Sequence, residues 1–420
     1  MLLTLKVNNF LIYNSEIEFS MRANMHYKRF QSNVATLGGV NALKAAVLIG
    51  PNNSGKTNFV RALSALKKIM LGEGAVLAGN LFSDNPIVEI STVFFENKAE
   101  NLFELKYDTC KNEYIYERFA QITRDKFHNE KTTDLLIRDS VNKQYYSEDA
   151  GLDIAMRVAA KNNIIAYLVN TEEFPCLNEI KKTIIAFASR IDIVDMNNIP
   201  IHKTIEMLKA SNQEHKKIAD FVLNSDLYLE DFKYLSDDEI KSNLKIEYIR
   251  DAKPQENALK NIPLTEMLHL ASVYKGITVP SVFFDSTGTK KIAALSSYVI
   301  EALEKGHILV IDELDNSLHF RLARAIIALF NNELNSSAQL ITTVHDVSLL
   351  DCQTLFRKEQ IWFTHKDQDS VYLYSLADFT TKESGVRDTT DLVKKYKKGV
   401  FGALPEPDLF QSLLEVKQRG

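Results

Sequence analysis

An eight-residue segment between an apolar run and an amphipathic segment constrains the fold of this 420-residue chain more than any other feature. The apolar run 45–49 before it is typical of a strand that is buried on both faces. Residues 55–70 after it carry apolar side chains at helical spacing. The segment itself follows the pattern G-x-x-x-x-G-K-[ST] and reads Gly50-Pro51-Asn52-Asn53-Ser54-Gly55-Lys56-Thr57. A chance match would have no reason to stand in this context, so the sequence predicts a strand–loop–helix unit of an α/β fold.

The residue types of this segment suit the phosphates of a nucleotide. Gly50 and Gly55 let the backbone approach an anion closely, and the N-terminus of the following helix adds a favourable partial charge. Lys56 can reach the β- and γ-phosphates, and Thr57 can ligate Mg²⁺. Asn53 stands at a turn position that often needs a positive φ, which asparagine tolerates. The predicted nucleotide-binding residues are Gly50, Asn52, Asn53, Ser54, Gly55, Lys56, Thr57 and Asn58.

Two adjacent carboxylates end a second apolar run, at 308–311. Ligands of open α/β sheets bind beyond the carboxyl ends of the strands, so Asp312 and Glu313 are expected near the glycine-containing loop. Asp312 would hold Mg²⁺ through water, and Glu313 would orient or deprotonate an attacking water. The alternative is that Glu313 caps the strand or pairs with a surface lysine. We favour the catalytic interpretation because the pair follows a P-loop in the same chain.

Two further polar positions border the predicted strands and helices. His345 follows the predicted buried strand 339–344, where it could hydrogen-bond a γ-phosphate, although a lone histidine there is also compatible with a structural role. Ser286, Gly288 and Thr289 directly precede a predicted helix and could form a second anion-binding nest. A single chain has no second nucleotide that this nest could bind. In a head-to-tail dimer, the nucleotide of the other subunit would lie against it. The alternative is an ordinary Ser/Thr N-cap.

The remaining pattern predicts an α/β head that is interrupted by an insertion. Alternating apolar residues near the N-terminus and at 87–107 predict antiparallel strands, and strand–helix order returns near residue 246. The charged, Asn- and Lys-rich segment between them is interpreted as helical. The predicted division is an N-terminal part of the head at 1–107, a mainly helical insertion or lid at 108–245, and a C-terminal part at 246–420. The predicted fold class is α/β, with antiparallel N-terminal strands and a mixed sheet core.

Composition excludes several classes of protein. With 50 Lys and Arg against 55 Asp and Glu, the net charge of -5 does not indicate a nucleic-acid binder. The basic run 394–398 around Tyr396 leaves such a partner open, although a solvated helix end is the favoured interpretation. Three widely spaced cysteines argue against a disulfide framework and fit a reducing compartment. Because no signal-peptide pattern and no stretch of about eighteen apolar residues occur, we expect a cytoplasmic protein that does not contact a membrane.

The four motifs described above, in the order in which they occur along the chain, resemble those of the ATP-binding-cassette (ABC) class of ATPases. The segment 312–319, DELDNSLH, is similar to the soluble branch that includes structural-maintenance and recombination ATPases. Together with STGTK at 286–290 and the pattern Y-x-x-G-x-F-G-A-L-P at 396–405, it is closer to the AAA15 family. Some AAA15 members, such as the PARIS and AbiL-type ATPases, serve anti-phage abortive infection. The resemblance covers 1–107 and 246–420 and implies an ABC-type P-loop ATPase head.

The resemblance also implies roles for individual residues. Lys56 and Thr57 would be the Walker A contacts, Asp312 and Glu313 the Walker B pair, and His345 the switch histidine. A signature loop that acts across the dimer would be formed by Ser286, Gly288 and Thr289. The implied ligands are ATP and Mg²⁺, and the implied reaction is hydrolysis to ADP and phosphate. The implied partners are a second copy of the chain, in a homodimer or higher oligomer, and a separate effector protein that is a nuclease or toxin.

Three functions are compatible with this chemistry. A transporter motor is disfavoured because the signature is not L-S-G-G-Q and His319 stands where an aspartate often lies. A genome-maintenance ATPase that binds DNA directly predicts a basic face or coiled-coil arms, but 108–245 shows no sustained heptads. We therefore expect an ATPase that dimerises around ATP and controls an effector in phage defence. The DNA-repair or recombination ATPase is retained as the alternative.

Overall fold

The structure, a computed structural model, describes residues 1–124, 130–158, 163–225, 228–243, 264–367, 370–379, 387 and 390–404. Its strands are β1 (Leu2–Asn8), β2 (Ile17–Ser20), β3 (Val34–Leu37), β4 (Val40–Leu43), β5 (Ala45–Ile49), β6 (Ile87–Glu96), β7 (Ala99–Asp108), β8 (Glu113–Arg124), β9 (Glu130–Asp139), β10 (Gln144–Ser147), β11 (Ile191–Asp195), β12 (Asp231–Tyr234), β13 (Leu270–Tyr274), β14 (Ile277–Pro280), β15 (Ile308–Asp312), β16 (Gln339–Val344), β17 (Ile361–Lys366) and β18 (Val371–Ser375). Its helices are α1 (Lys56–Met70), α2 (Ala150–Val158), α3 (Ile164–Asn170), α4 (Asn178–Ser189), α5 (His202–Ala210), α6 (Asn212–Leu223), α7 (Asp237–Asn243), α8 (Leu264–Met267), α9 (Ser281–Phe284), α10 (Thr287–Lys305), α11 (Phe320–Phe330) and α12 (Leu392–Lys397). None of the helices in this described part combines the length and the apolar composition that crossing a bilayer requires.

A mixed sheet forms the centre of the fold, in the order β11-β15-β16-β5-β17-β18. The strands from β11 to β17 pair in parallel, and β18 pairs antiparallel to β17. Every residue of β5, β15 and β16 is buried, as expected for parallel strands that are covered on both faces. Parallel strands end at the same sheet edge, so the loops after β5, β11, β15 and β16 lie side by side.

An antiparallel sheet forms a second layer, in the order β10-β9-β8-β7-β6-β1-β2. The predicted hairpin near residues 97–100 is confirmed, because β6 and β7 pair through a turn at Asn97 and Lys98. Both turn residues adopt a positive φ. Smaller sheets are formed by β3-β4 and by β12-β13-β14. The predicted α/β class, with an antiparallel sheet and a mixed sheet, is confirmed.

The two faces of the central sheet contribute to different parts of the core, because side chains alternate along a strand. In β15, Leu309 and Ile311 pack with α10 and α11, whereas Ile308 and Val310 pack with α1 and the antiparallel sheet. Helix α1 buries its apolar face, including Phe59, in this second cluster. The helix that follows the loop at 50–55 is therefore held between the two sheets.

The prediction that 108–245 is mainly helical was wrong for residues 113–124 and 130–147. They form β8, β9 and β10, which continue the antiparallel sheet outward from β7. Their charged residues are paired across strands, as where Arg118 contacts Glu104 and Asp134. The charged side chains of this segment are thus paired within a sheet, so its charge-rich composition does not indicate a helix.

Helices do occur farther along the same segment, at α2 to α7, but they are interrupted by β11 and β12. Strand β11 pairs with β15 in the central sheet, so this segment contributes directly to the head. The division into 1–107, 108–245 and 246–420 stays a prediction. The predicted resumption at residue 246 and Pro405 of the C-terminal pattern lie outside the described residues.

A fully buried ion pair connects the antiparallel sheet to α3. Arg138 Nη1 lies 3.0 Å from Glu117 Oε2, and both side chains are 0% exposed. The Glu117 carboxylate also accepts the backbone N–H groups of Ile164 and Ile165 at the start of α3. A carboxylate at a helix N-terminus is stabilised by the unpaired N–H groups and by the helix dipole.

We predict that Glu117→Gln lowers the free energy of unfolding by about 3–5 kcal/mol, because it leaves the charge of Arg138 buried without a counter-charge. The matched control is Glu104→Gln, which weakens a partly exposed ion pair with Arg118 and should lower it by less than about 1 kcal/mol. Urea-induced unfolding measures both. Equal losses for the two variants would contradict the role assigned to Glu117.

Candidate functional site

The loop between β5 and α1 has the backbone conformation that its sequence predicts. Gly55 has a φ of 107°, and Asn53 has a φ of 61°. At Gly50 a Cβ atom would lie 2.2 Å from Thr364 Oγ1, so only glycine fits there. Asn52 and Thr57 are exposed, which leaves the outer surface of the loop accessible.

Buried hydroxyl groups hold the loop in this shape. The Ser54 hydroxyl donates to Pro51 O at 2.7 Å and lies 2.6 Å from Thr364 Oγ1. The Tyr13 hydroxyl donates to Gly55 O at 2.8 Å. The side chain of Ser54, a predicted nucleotide contact, is therefore used to shape the loop. Asn58 lies on the first turn of α1, and its side chain contacts Arg61.

Lys56 is folded back over the loop. Its Nζ atom donates to Gly50 O at 2.6 Å and to Pro51 O at 2.9 Å, and the residue is only 5% exposed. Burial lowers the pKa of Lys56 to about 8, against the opposing effect of Asp312 and Glu313. A phosphate at the loop would supply a further counter-charge for the ammonium, so anion binding and protonation of Lys56 are linked.

The hydroxyl of Thr343, on β16, fixes both carboxylates at the end of β15. It donates to Asp312 Oδ1 at 2.5 Å and accepts the backbone N–H of Glu313 at 2.7 Å. Glu313 has a φ of 60°, an unusual conformation for this residue type. Asp312 is 7% exposed and Glu313 is half-buried, so the strand ends in two carboxylates of fixed position.

Amide groups hold the side chain of Glu313. Asn197 Nδ2 and Asn316 Nδ2 donate to Glu313 Oε2 at 2.9 Å and 3.0 Å. His345 Nε2 lies 3.6 Å from Glu313 Oε1. Burial acts to raise the pKa of Glu313, but the hydrogen bonds from the two amides and the nearby His345 outweigh it and lower this pKa. These contacts therefore favour the ionised form of the Glu313 carboxylate.

Asp315 connects the turn after β15 to the loop after β16. Its Oδ2 atom accepts the backbone N–H groups of His345 at 2.7 Å and of Asp346 at 2.5 Å. The structure thus brings Lys56, Asp312, Glu313 and His345 to one edge of the central sheet. Among the described residues, two amides and His345 contact the Glu313 carboxylate, and no lysine pairs with it.

The predicted signature residues lie at the start of α10. Ser286 is the N-cap, and its hydroxyl accepts the Thr289 N–H at 3.1 Å, as the structural alternative predicted. Ser286 is exposed, whereas Thr289 is buried. Asp285, directly before this loop, accepts hydroxyl donors from Ser272, Tyr274 and Ser281. The backbone entering the loop is therefore fixed from the β13–β14 side.

Sequence reasoning missed Thr343, Asn197 and Asn316. Thr343 belongs to a strand that was recognised, but nothing in the sequence distinguishes it from the neighbouring Thr342. Asn316 lies in the DELDNSLH segment, but no side-chain role was assigned to it. Asn197 gave no signal, because β11 was not recognised as a strand of the central sheet.

A cavity of about 800 Å³ opens beside the loop. Its lining includes the predicted residues Asn53 and Asn58 together with Arg61 of α1. At its rim, Leu81 and Phe82 are 92% and 96% exposed. A second cavity, of about 690 Å³, lies on the antiparallel sheet and shares none of these lining residues. The 800 Å³ cavity is therefore continuous with the loop at 50–57.

A second cluster of acidic and histidine side chains lies away from the loop. Asp192, Glu301 and His307 have ligand-type atoms within 4.8 Å of one another. The Lys203 ammonium already contacts Asp192 and Glu301, and His307 Nδ1 lies 2.8 Å from Asp192 Oδ2. We interpret this cluster as an ion-pair network that joins β11, α5 and α10.

Comparisons with known proteins were made at the level of families, sequences and structures. No curated protein sequence matches the chain. Similar solved structures include an SMC head bound to the C-winged helix domain of ScpA, with 12% identity, coverage of 89% of this chain and 97% of that chain, and a TM-score of 0.43. The SMC head domain from Thermotoga maritima has 12% identity, coverage of 89% and 98%, and a TM-score of 0.41.

A family model described as "AAA domain, putative AbiEii toxin, Type IV TA system" matches residues 45–351. The matched region includes the loop at 50–57, the carboxylates after β15 and His345. The predicted class of P-loop ATPase is confirmed at this level, whereas the assignment to AAA15 stays a prediction. Because the match spans most of its length, the chain belongs to this family of AAA domains.

Proposed function

We propose that the protein binds ATP with Mg²⁺ and hydrolyses it to ADP and phosphate, as an ABC-type ATPase. The observation that carries this proposal is the pair of carboxylates that Thr343 fixes at the sheet edge of the P-loop. This edge of the sheet offers the groups that a Mg²⁺–nucleotide needs. Backbone N–H groups and one ammonium can bind phosphates, and one hydroxyl and two carboxylates can ligate the metal or bind water. The family of AAA domains supports the same chemistry.

In this proposal each residue performs a separate task. Lys56 leaves the carbonyl oxygens of its own loop and donates to the β- and γ-phosphates. Thr57 and Asp312 would hold Mg²⁺, which neutralises phosphate charge when it is bound. Glu313, ionised and held by two amides, orients the attacking water and accepts its proton. His345, beside Glu313, donates a hydrogen bond to the γ-phosphate.

The ribose and base would occupy the 800 Å³ cavity that adjoins the loop. Leu81 and Phe82 lie on a segment that buried groups hold in place, since the Asn80 N–H donates to Asn9 Oδ1 and the Phe82 N–H to Asn80 Oδ1. An exposed phenylalanine on a fixed segment offers a surface on which a base can stack. The sequence had assigned no such residue.

The proposed assembly is a head-to-tail homodimer, or a higher oligomer, that encloses ATP between subunits. It is supported by the resemblance of the segment 286–290 to a signature loop and by the exposure of Ser286 and Thr287. The resemblance to AAA15 members, together with a family description that names a type IV toxin–antitoxin system, supports a role in anti-phage defence through a separate nuclease or toxin. The N-cap geometry of Ser286 is compatible with this use, because the residue stays exposed while it caps α10.

The alternative, an ATPase that binds DNA directly, is weakened at the basic run 394–398. Tyr396 is buried, and its hydroxyl donates to Ala403 O at 2.5 Å, so it does not present a face for stacking on a base. The lysines of this run lie in the last turn of α12, where they complement the helix dipole. We therefore favour the role in phage defence over direct binding of DNA.

We predict that the affinity for Mg²⁺–ATP falls by roughly tenfold for each pH unit above about 8, because free Lys56 then loses the proton that the complex retains. Isothermal titration calorimetry from pH 7 to 10, in two buffers of different ionisation enthalpy, should show proton uptake on binding near pH 8. Lys56→Ala should abolish binding at every pH. A wild-type affinity that is constant up to pH 9 would contradict the linkage.

We predict that Glu313→Gln retains ATP binding, hydrolyses ATP at least about 100-fold more slowly than the wild type, and accumulates as the ATP-bound dimer. Steady-state phosphate release and light scattering with and without Mg²⁺–ATP measure the two effects. Glu333→Gln is a suitable control, because Glu333 follows α11 and is exposed. If the Glu313→Gln protein hydrolyses ATP at the wild-type rate, the assignment of the base is wrong.

The partner is tested by purifying tagged Glu313→Gln protein from its native host and identifying what accompanies it by mass spectrometry. We expect a nuclease or toxin in stoichiometric amount, because the trapped ATP state should hold the effector. The matched control is the tagged Lys56→Ala protein, which should not retain it. Nucleic acid without a protein partner would instead support the DNA-repair alternative.

A further inference from the structure

Lys291 of α10 is a buried lysine beside Glu313 that the proposed mechanism does not use. It is 5% exposed, and its Nζ atom donates to Asn316 Oδ1 at 3.0 Å, to Asn316 O at 3.3 Å and to Ser317 Oγ at 3.2 Å. Burial lowers the pKa of Lys291, against the opposing effect of Asp195 and Glu313. A buried ammonium is costly unless its donors are satisfied, and here they are satisfied by the turn that follows Glu313.

Asn316 joins this lysine to the carboxylate. Its Oδ1 atom accepts from Lys291, while its Nδ2 atom donates to Glu313 Oε2 at 3.0 Å and to Asn197 Oδ1 at 2.8 Å. The Ser317 hydroxyl also donates to Asn316 Oδ1, at 3.0 Å. An amide has a donor end and an acceptor end, so donors at Oδ1 and acceptors at Nδ2 define the same orientation of Asn316. Of the two donors only Lys291 is charged, and charge-assisted hydrogen bonds are roughly twice as strong as neutral ones, so Lys291 contributes most to keeping the NH₂ group directed at Glu313.

The start of α10 and the turn at 316–317 are also in close contact. A Cβ atom at Gly288 would lie 2.9 Å from Ser317 O, so no space separates the two segments. Gly288 belongs to the loop that the proposed dimer places against the second nucleotide. A displacement of this loop therefore reaches Asn316 both through the backbone of Ser317 and through Lys291.

We propose that Lys291, acting through Asn316, is a positioning residue for Glu313 and couples the loop at 286–289 to the base of the same subunit. The inference rests on the proposed function and deepens it. In a head-to-tail dimer the loop contacts the nucleotide of one site, and Glu313 serves the other site. The contact then makes hydrolysis at one site sensitive to occupancy of its neighbour.

The test is Lys291→Met, with Lys44→Met as the matched control. Lys44 directly precedes β5 and is equally buried, at 3% exposure, but its Nζ donates to Asn332 O at 2.9 Å, away from the carboxylates. We expect Lys291→Met to bind Mg²⁺–ATP like the wild type and to lower kcat by roughly tenfold or more, the effect of losing about 1.4 kcal/mol of transition-state stabilisation. Lys44→Met should leave kcat unchanged, and Lys291→Arg should restore most of the kcat that Lys291→Met loses.

The split between kcat and KM separates positioning from a general loss of stability. Because Lys291 acts on Glu313 and not on the bound phosphates, Lys291→Met should lower kcat and kcat/KM by the same factor and leave KM for ATP unchanged, whereas Lys44→Met should change neither. Asn316→Ala combined with Lys291→Met should be no slower than either single variant, because both changes break the same connection.

Two results would overturn the inference. One is a defect of Lys291→Met that appears in KM and leaves kcat unchanged, and the other is a loss of kcat that is the same in Lys44→Met. Both are judged against a wild-type protein that hydrolyses ATP. A wild-type protein without ATPase activity would instead refute the proposed function itself, so the two failures are distinguishable.

Discussion

The hydroxyl group of Thr343 is the contact on which the geometry of the site depends. It accepts the backbone N–H of Glu313 and donates to the carboxylate of Asp312, so one side chain fixes both acidic residues. The bond to the backbone also holds Glu313 at a positive φ, a conformation that costs about 1–3 kcal/mol unless neighbouring groups enforce it. The strained backbone at the end of a buried strand thus places the Glu313 side chain within reach of two amides and a histidine.

The parts of the fold that could be predicted are those that local pattern determines. The strand–loop–helix unit around Lys56 and the apolar strands β15 and β16 follow from short-range patterns. The carboxylates and His345 then follow from the rule that ligands bind where parallel strands end. The antiparallel strands β8–β10 were missed because their charges are neutralised by residues of neighbouring strands, which no single segment shows.

The part of the site that sequence reasoning missed was missed for the same reason, because its contacts join distant segments of the chain. Strand β11 carries Asp192 and Asp195, so it does not look like a buried parallel strand, although Asp192 is neutralised there by Lys203 and His307. Its pairing with β15 joins residues that lie more than a hundred positions apart, as Asp195 does with Asp312. Without that pairing, nothing in the sequence places Asn197 beside Glu313. A polar residue after an unrecognised strand cannot be distinguished from any loop asparagine.

The position of β11 at the sheet edge has a mechanical consequence. The strand is carried between α4 and α5, and its last residues hold Asn197 at 2.9 Å from the Glu313 carboxylate. Hydrogen bonds weaken steeply with distance and misalignment. A shift of β11 by a fraction of this 2.9 Å distance would therefore change the basicity of the Glu313 carboxylate. In the proposed mechanism, a partner that binds α4 or α5 and displaces β11 would therefore change the rate of ATP hydrolysis without contacting the nucleotide. Strand β11 would then transmit a displacement at the surface to the carboxylate that activates water.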